Sequence, residues 1–349
     1  MMDMPSEAAV PTLADVAARA GVSTATVSRC LNTPERVVKE TRDRVLRAVD
    51  DLGYAPNFSA RALAAGQSNM VGAVIPTMEN AVFARGLQAF QEELGRHGKT
   101  LLVASSAYQP ELEEDQVRAL VARGADALLL IGYDRRPDLY RFLAKRKVPT
   151  MVAWSFRDDV DYPAVGFDNR RGMAALARLV LGYGHRQISC ISAPMAENDR
   201  ARGRVSGIRD ALQEAGLDPE ALPLVETPYD IENGETAFRQ VMAEAPETTV
   251  VMCVNDVLAI GALRAARELG LRVPEDISIT GFDDIEIATL ASPSLTTVHV
   301  PHREMGRRAA QAITEMLRGA PGWARVKLPT DIRVRQSLGP APARSAKPF

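Results

Sequence analysis

Residues 13–32, LADVAARAGVSTATVSRCLN, read as two short helices joined by a tight turn. Ala14, Ala17, Ala18 and Ala20 keep the first helix slim, and Gly21 permits a sharp change of direction. Ser23 can accept the free backbone N–H groups that open a second helix near Thr24. Val16, Val22, Val27 and Leu31 recur at spacings that turn them inward, so that Thr24, Ala25, Thr26, Ser28 and Arg29 look outward. A major groove admits a helix whose first residues are this small; Ser and Thr can bond base edges or phosphates, and Arg29 can reach a guanine or a phosphate oxygen. An ordinary helical hairpin with solvated hydroxyls would share the pattern. Charge favours the groove: Arg19 to Arg47 holds seven Lys or Arg against three acids, a local balance of +4 in a chain of net charge −2. A basic island in a nearly neutral chain is what attraction to phosphate requires.

The remainder is too long for one compact core. A length of 349 residues with 46% apolar composition implies two or three domains with real interiors. The opening MMDMPSEAAVPT has no basic segment followed by an apolar run, and no later stretch is apolar enough to cross a bilayer, so a cytosolic protein is expected. Cys30, Cys190 and Cys253 are odd in number and far apart, and His97, His185, His299 and His302 show no paired spacing. Neither a disulfide framework nor a metal site is indicated, and the cysteines read as small core residues.

Val37 to Leu52 reads as a third helix, with Val45, Val49 and Leu52 on one face and Gly53 at its end. In YAPNFSARALAAG, residues 54–66, Pro56 blocks continuation and Asn57 can cap a short Ala-rich helix toward Leu63, although a plain linker fits the composition equally. From Met70 the rhythm changes to alternating strands and helices: VGAVIP, Ala81 to His97, TLLVAS, Glu111 to Arg123, ALLLIG, a helix to Arg146, and VPTMVAW. A second series follows: YPAVGFD, Asn169 to Gly182, QISCIS, Arg202 to Ala215, Leu222 to Thr227, Gly234 to Ala245, TVVMCV, Asp256 to Leu269, and DISITGF. Such alternation means buried parallel strands with helical crossovers, and two series of similar length suggest duplicated lobes facing each other across a ligand cleft. LTTVHVP, a helix from Arg303 to Arg318, a strand near Thr330 to Arg335 and a tail expected to be disordered complete the chain.

Taken together, head, linker and lobes resemble the lactose and galactose repressor (LacI/GalR) family over roughly Thr12 to Gly339. Six pieces carry the likeness in family order: residues 13–32, the YAPNFSARALA hinge, RGRVSGI, VNDVLAIGAL, VPEDISITGFDD and SPSLTTVHVPHREMG. The resemblance implies an all-α helix-turn-helix head with a hinge helix, followed by a periplasmic-binding-protein-like α/β core of two doubly wound lobes. Its implied boundaries are 1–53 for the head, 54–68 for the hinge, 69–167 with 299–323 for the first lobe, 168–298 with 324–339 for the second, and 340–349 for the tail. It also implies a homodimer or tetramer whose heads read double-stranded operator DNA, and a small effector, a sugar or sugar acid, in the cleft. No cofactor is implied, and the tail lacks a leucine heptad that would tie dimers into a tetramer.

Carried over by position, Thr24 and Ala25 correspond to base-reading residues and Arg29 to an operator contact. Thr26, Ser28, Asn32, Thr41 and Tyr54 correspond to backbone contacts, and Thr12, Leu13, Ser23, Asn57 and Ala60 are counted with the DNA-contacting positions. Leu63 corresponds to the hinge leucine that wedges between central base pairs and bends the duplex. Val38 departs from the family, which places Ser or Thr there to cap the third helix. For the effector, Arg204, Asn255 and Asp283 correspond to polar contacts, Phe83 and Tyr229 to aromatic walls, and Asp168 lies at the crossing between lobes. Trp154 stands where several relatives keep an acid. Losing that carboxylate while keeping Arg204 makes the cleft less hostile to an anion, which points to a sugar acid such as gluconate. YQPELEEDQ, within Ala81 to Arg123, likewise resembles the gluconate-repressor branch. Two rivals are a sugar-transport protein, opposed by the head, and an enzyme, opposed by the absence of a GxGxxG, P-loop, nucleophile elbow or metal constellation.

Overall fold

The structure, a computed structural model, describes residues 10–55, 67–79, 81–320 and 324–343. The chain divides into two compact units, 1–68 and 69–349.

In the first unit, α1 (Leu13–Ala20) opens at Thr12, whose hydroxyl accepts from Asp15 N while the Asp15 carboxylate takes back the Thr12 N–H, a capping box. Gly21 ends it at φ 62°, a left-handed turn that glycine adopts without strain. Helix α2 (Thr24–Asn32) begins under Ser23, whose Oγ accepts from Thr26 N. Val16, Ala17, Ala20, Val27, Cys30, Val45 and Ala48 close the small core, with Val22 and Leu31 half-buried against it. The third helix, α3, spans Lys39–Leu52 and not Val37 to Leu52: a 3-10 turn, Pro34–Arg36, intervenes, and Val37 and Val38 are extended. Val38 occupies the N-cap with no side-chain bond to the helix and is exposed.

The second unit holds two six-stranded sheets. One comprises β1 (Met70–Ile75), β2 (Thr100–Ser105), β3 (Ala127–Ile131), β4 (Thr150–Ala153), β5 (Ala164–Gly166) and β11 (Arg325–Lys327), in spatial order β11-β5-β4-β3-β1-β2 and all parallel. The other comprises β6 (Ile188–Ser192), β7 (Leu224–Glu226), β8 (Val250–Cys253), β9 (Ser278–Asp283), β10 (Thr296–His299) and β12 (Asp331–Arg333), in order β12-β10-β9-β8-β6-β7, with only β12 antiparallel to its neighbour. The matching orders make the two lobes copies of one doubly wound plan, and the apolar runs of β3, β4 and β8 are buried throughout because helices cover both faces.

Helices α4 (Ala81–Arg96), α5 (Pro110–Ala122) and α6 (Pro137–Arg146) follow the strands of the first sheet. Helices α7 (Asn169–Gly182), α8 (Asp199–Glu214), α9 (Ile231–Glu244) and α10 (Asp256–Glu268) serve the second; α11 (Ile287–Leu290) is a single turn, and α12 (His302–Leu317) returns to pack on α4. The chain thus crosses between lobes three times: from β5 to α7, from β10 to α12, and from β11 to β12. Residues 324–327, which the resemblance put in the second lobe, pair with β5, so the last crossing lies between 327 and 331. Of the tail expected to be disordered, residues 340–343 are described, with Ala341 N donating to Tyr183 O; residues 344–349 lie outside the described residues.

Helices α4 and α12 touch backbone to backbone. A Cβ at Gly306 would fall 1.9 Å from the Gly86 carbonyl oxygen, and one at Gly86 would fall 2.5 Å from Trp154 Cζ2. The pair of glycines therefore seats the Trp154 ring beneath α4.

Gly306→Ala forces this helix pair apart and should cost roughly 1–3 kcal/mol in urea unfolding of the full chain. Gly95→Ala, in the same α4 but with open space around it, should instead stabilise by about 0.5–1 kcal/mol; equal effects of the two would contradict the packing. In the head, Val38→Thr supplies the missing cap and should slow hydrogen exchange of the first-turn amides of α3 by about 1 kcal/mol, with no change if the turn needs no acceptor.

Candidate functional site

The carboxyl ends of the parallel strands of both sheets face each other, the position at which doubly wound folds bind ligands. Trp154 follows β4, Asn255 follows β8, Asp283 ends β9 and Tyr229 follows β7, while Phe83 stands in the first turn of α4 and Arg204 projects from α8. All six line one inner chamber of about 20 Å³, joined there by Val82, Tyr108 and Arg200.

Arg204 anchors this chamber. Its Nε donates to Asn169 Oδ1 at 2.8 Å, Nη1 to Val254 O at 2.6 Å, and Nη2 to Asp283 Oδ1 at 3.0 Å, with Nη1 also 3.4 Å from Asp283 Oδ2. The Arg204 Cζ stands over the Phe282 ring, 3.8 Å from its centre, and the two charged side chains are only 5% and 2% exposed. The cation that sequence reasoning offered to an anionic ligand is already paired with the carboxylate offered to a polyol. Asp283 nonetheless keeps spare lone pairs, since among the described residues each oxygen receives a single side-chain donor.

Backbone strain holds Asp283 in place. It sits at φ 110° and Asp284 at φ 52°, a left-handed pair without glycine. Asp256 over-determines that turn: its Oδ2 accepts from Ile285 N at 2.8 Å and its Oδ1 from the Thr297 hydroxyl at 2.5 Å. Burial, and then the neighbouring Asp283 charge, push the Asp256 carboxyl well above the usual carboxylate range. His302 adds a bond from its Nε2 to Asp283 O at 3.0 Å, and burial lowers its pKa, so the ring is the neutral tautomer with the proton on Nε2.

Asn255 accepts from Leu258 N through Oδ1, capping α10, and its Nδ2 has no protein partner among the described residues. Phe83 meets Trp154 edge to face at 5.4 Å. Trp154, at φ 60°, has its indole Nε1–H buried and unpartnered, while its carbonyl accepts from Asn169 Nδ2. Asp168 does not enter the chamber: its Oδ1 caps α7 by accepting from Arg171 N and its Oδ2 lies 3.5 Å from Lys327 Nζ, while the adjacent Asn169 sits behind the chamber wall, donating to Trp154 O and accepting from Arg204 Nε.

Tyr108 and Tyr229 face each other across the cleft with ring centres 5.5 Å apart. Ala107 and Tyr108, at φ 50° and 58°, form the left-handed turn that presents the first ring. Beyond this pair lies an outer chamber of about 610 Å³, whose walls include the ion pairs Arg135–Glu113 at 2.9 Å and Arg202–Asp134 at 2.5 Å. Tyr108 and Arg200 line both chambers and were missed in the sequence. Tyr108 carries no helical or strand rhythm. Arg200 was placed before a helix expected from Arg202, whereas Asn198 caps α8 one turn earlier by accepting from Ala201 N.

In the head, Thr12, Thr24, Ala25, Arg29 and Asn32 are exposed, while Leu13, Thr26, Ser28, Thr41 and Tyr54 are half-buried. Ser23 and Thr26 share a hydroxyl bond and Asn32 Nδ2 donates to Ser28 Oγ, which orients the outward face of α2. Asn57, Ala60 and Leu63 lie outside the described residues. Among the described residues no group of three or more His, Cys, Asp or Glu is placed to hold a metal, no helix is long and apolar enough to cross a membrane, and the three cysteines are free and buried.

Residues 12–57 match the family described as bacterial regulatory proteins, lacI family, and residues 177–338 match a periplasmic binding protein-like domain. The HTH-type transcriptional regulator GntR of Escherichia coli K12 is 32% identical over 309 residues, covering 88% of this chain and 92% of its own. The lac repressor dimer bound to operator and the anti-inducer ONPF superposes with a TM-score of 0.81 at 26% identity, covering 94% of this chain and 98% of that one. The transcriptional regulator CelR in complex with cellobiose superposes with a TM-score of 0.68 at 29% identity, covering 94% and 100%. With a regulator's head, a two-lobed core and this identity along nearly the whole of such a relative, the chain belongs to the LacI family of bacterial regulatory proteins and is a DNA-binding transcriptional regulator.

Proposed function

We propose that this regulator is a repressor that works as a homodimer on a pseudo-palindromic operator, and that a sugar or sugar acid in the inner chamber controls its DNA affinity. The observation that carries the effector reading is the convergence of Asp283, Asn255 and Arg204 with Phe83, Trp154 and Tyr229 at facing strand ends. A carboxylate and an amide with spare bonding capacity suit hydroxyl groups, and aromatic walls suit the apolar face of a sugar. That the related CelR is known in complex with cellobiose, and the lac repressor dimer in complex with operator, supports both halves of the reading. In this conformation the inner chamber has room for little more than one water, so an effector must part the Tyr108–Tyr229 pair to enter. Lobe separation before entry and closure afterwards would shift the equilibrium that the paired heads read. By linkage, the same coupling serves induction or corepression, according to which lobe arrangement the ligand favours.

On the DNA side, Thr24, Ala25 and Arg29 of α2 face the bases and Leu63 wedges into the minor groove. Ala25 offers a methyl contact to thymine and no bidentate bond to adenine, so specificity leans on Arg29 and on the cost of bending the duplex.

Two experiments test these halves. Leu63→Ala should weaken binding to a selected operator at least tenfold more than binding to random duplex in the same salt; equal losses on both would contradict the wedge. In a Trp323→Phe background, which leaves Trp154 as the sole indole, tryptophan emission should change on titration with sugar acids. A response to neutral hexoses alone would contradict the acid, and no response to either class would contradict the site.

A further inference from the structure

The inner chamber is lined by two guanidiniums, and they are not equivalent. Arg204 is committed at every nitrogen, to Asn169, Val254 and Asp283, and its charge is matched by the Asp283 carboxylate. Arg200 is committed along one edge only. Its Nη1 donates to Asp199 Oδ1 at 3.1 Å and to Ile131 O at 3.2 Å, while among the described residues Nε and Nη2 have no protein acceptor. Its side chain is 11% exposed, and Arg200 borders both chambers, at the Tyr108–Tyr229 pair that divides them.

The committed edge is held rigidly. Asp199 accepts from Arg200 on Oδ1, and from Tyr133 N at 3.1 Å and the Ser155 hydroxyl at 2.9 Å on Oδ2, so that a carboxylate from the second lobe is tied to two donors of the first. Gly132, at φ 72°, leaves room for this clasp: a Cβ there would fall 2.2 Å from both Arg200 Nη1 and Asp199 Oδ1. Asp199 itself lines neither chamber. The Nε–Nη2 edge of a guanidinium presents two parallel N–H groups and can take a carboxylate in two parallel bonds. Both guanidiniums are therefore ion-paired, Arg204 with Asp283 and Arg200 with Asp199, but of the two only Arg200 keeps its Nε–Nη2 edge unspent.

We infer that Arg200, and not Arg204, recognises the anionic end of the effector, setting the preference for a sugar acid over the corresponding neutral polyol. The ligand's hydroxyls then fall to Asp283 and Asn255, and its carboxylate to Arg200 at the boundary with the outer chamber. Because the same guanidinium clasps the first lobe through Ile131, an anion on Arg200 bears directly on how tightly the lobes are held together. This assignment rests on the sugar-acid reading of the cleft.

The test is isothermal titration of the full-length protein with potassium D-gluconate and with D-glucitol, which has the same carbon chain and a hydroxymethyl in place of the carboxylate. For the wild type, gluconate should bind at least tenfold more tightly than glucitol. Arg200→Gln should lower that gluconate-to-glucitol ratio at least tenfold, and Arg200→Lys, which keeps the charge but loses the fork, should give an intermediate ratio. The Lys variant decides the matter should the Gln variant fail to fold. Wild-type preference for gluconate with the ratio unchanged within twofold in the variants overturns the role of Arg200 and leaves the sugar-acid reading standing. A wild type that binds neutral polyols or hexoses but no aldonate overturns both.

Discussion

A buried ion pair, Arg204 with Asp283, holds the centre of this molecule. It bridges α8 and the end of β9, and through Asn169 it reaches the β5–α7 crossing, whose neighbour Trp154 sits under the α4–α12 contact. With so little solvent around the two charges, removing either partner would strand the other, a loss of about 3–5 kcal/mol. Nothing comparable would follow from removing both. The pair is better understood as a device that fixes where a carboxylate oxygen stands than as a source of stability, and the strained turn at Asp283 and Asp284, supported by Asp256 and His302, serves the same end.

The geometry ties three crossings, a clasp and a cleft into one unit. Asp199 and Arg200 from the second lobe hold Tyr133, Ser155 and Ile131 of the first, close to where Tyr108 meets Tyr229. A ligand entering between the aromatic pair passes Arg200, which belongs to this clasp. Packed interfaces of this kind respond by moving between discrete arrangements rather than by gradual deformation, which is what a switch requires.

Most of the fold was legible in the sequence because its signals are periodic. The apolar strand runs, the amphipathic helices and the Gly21 turn need no tertiary information, whereas the uncapped start at Val38 was visible only against the family pattern. The errors fall where a single side chain overrides a rhythm. Asn198 and Asp230 cap α8 and α9 a turn earlier than the apolar pattern announces, which hid Arg200 and set Tyr229 at the cleft mouth. Strand β11 is three residues of half-exposed edge, too short to show alternation, so the final crossing was misplaced. At the site, the family resemblance pointed to Arg204 and Asp283, but whether a cation is free or already matched is a property of distances. Asp168 shows the converse: a carboxylate at the right place in the chain, spent on a helix cap.

Regulation by a ligand requires that the cleft and the DNA-reading head be energetically linked. The most direct measurement is the reciprocal one: the affinity of full-length protein for an operator selected in vitro, with and without saturating potassium D-gluconate, alongside the affinity for gluconate with and without that operator. Linkage predicts that both change, by the same factor. Operator affinity that is unaltered by a ligand shown to occupy the cleft would contradict it.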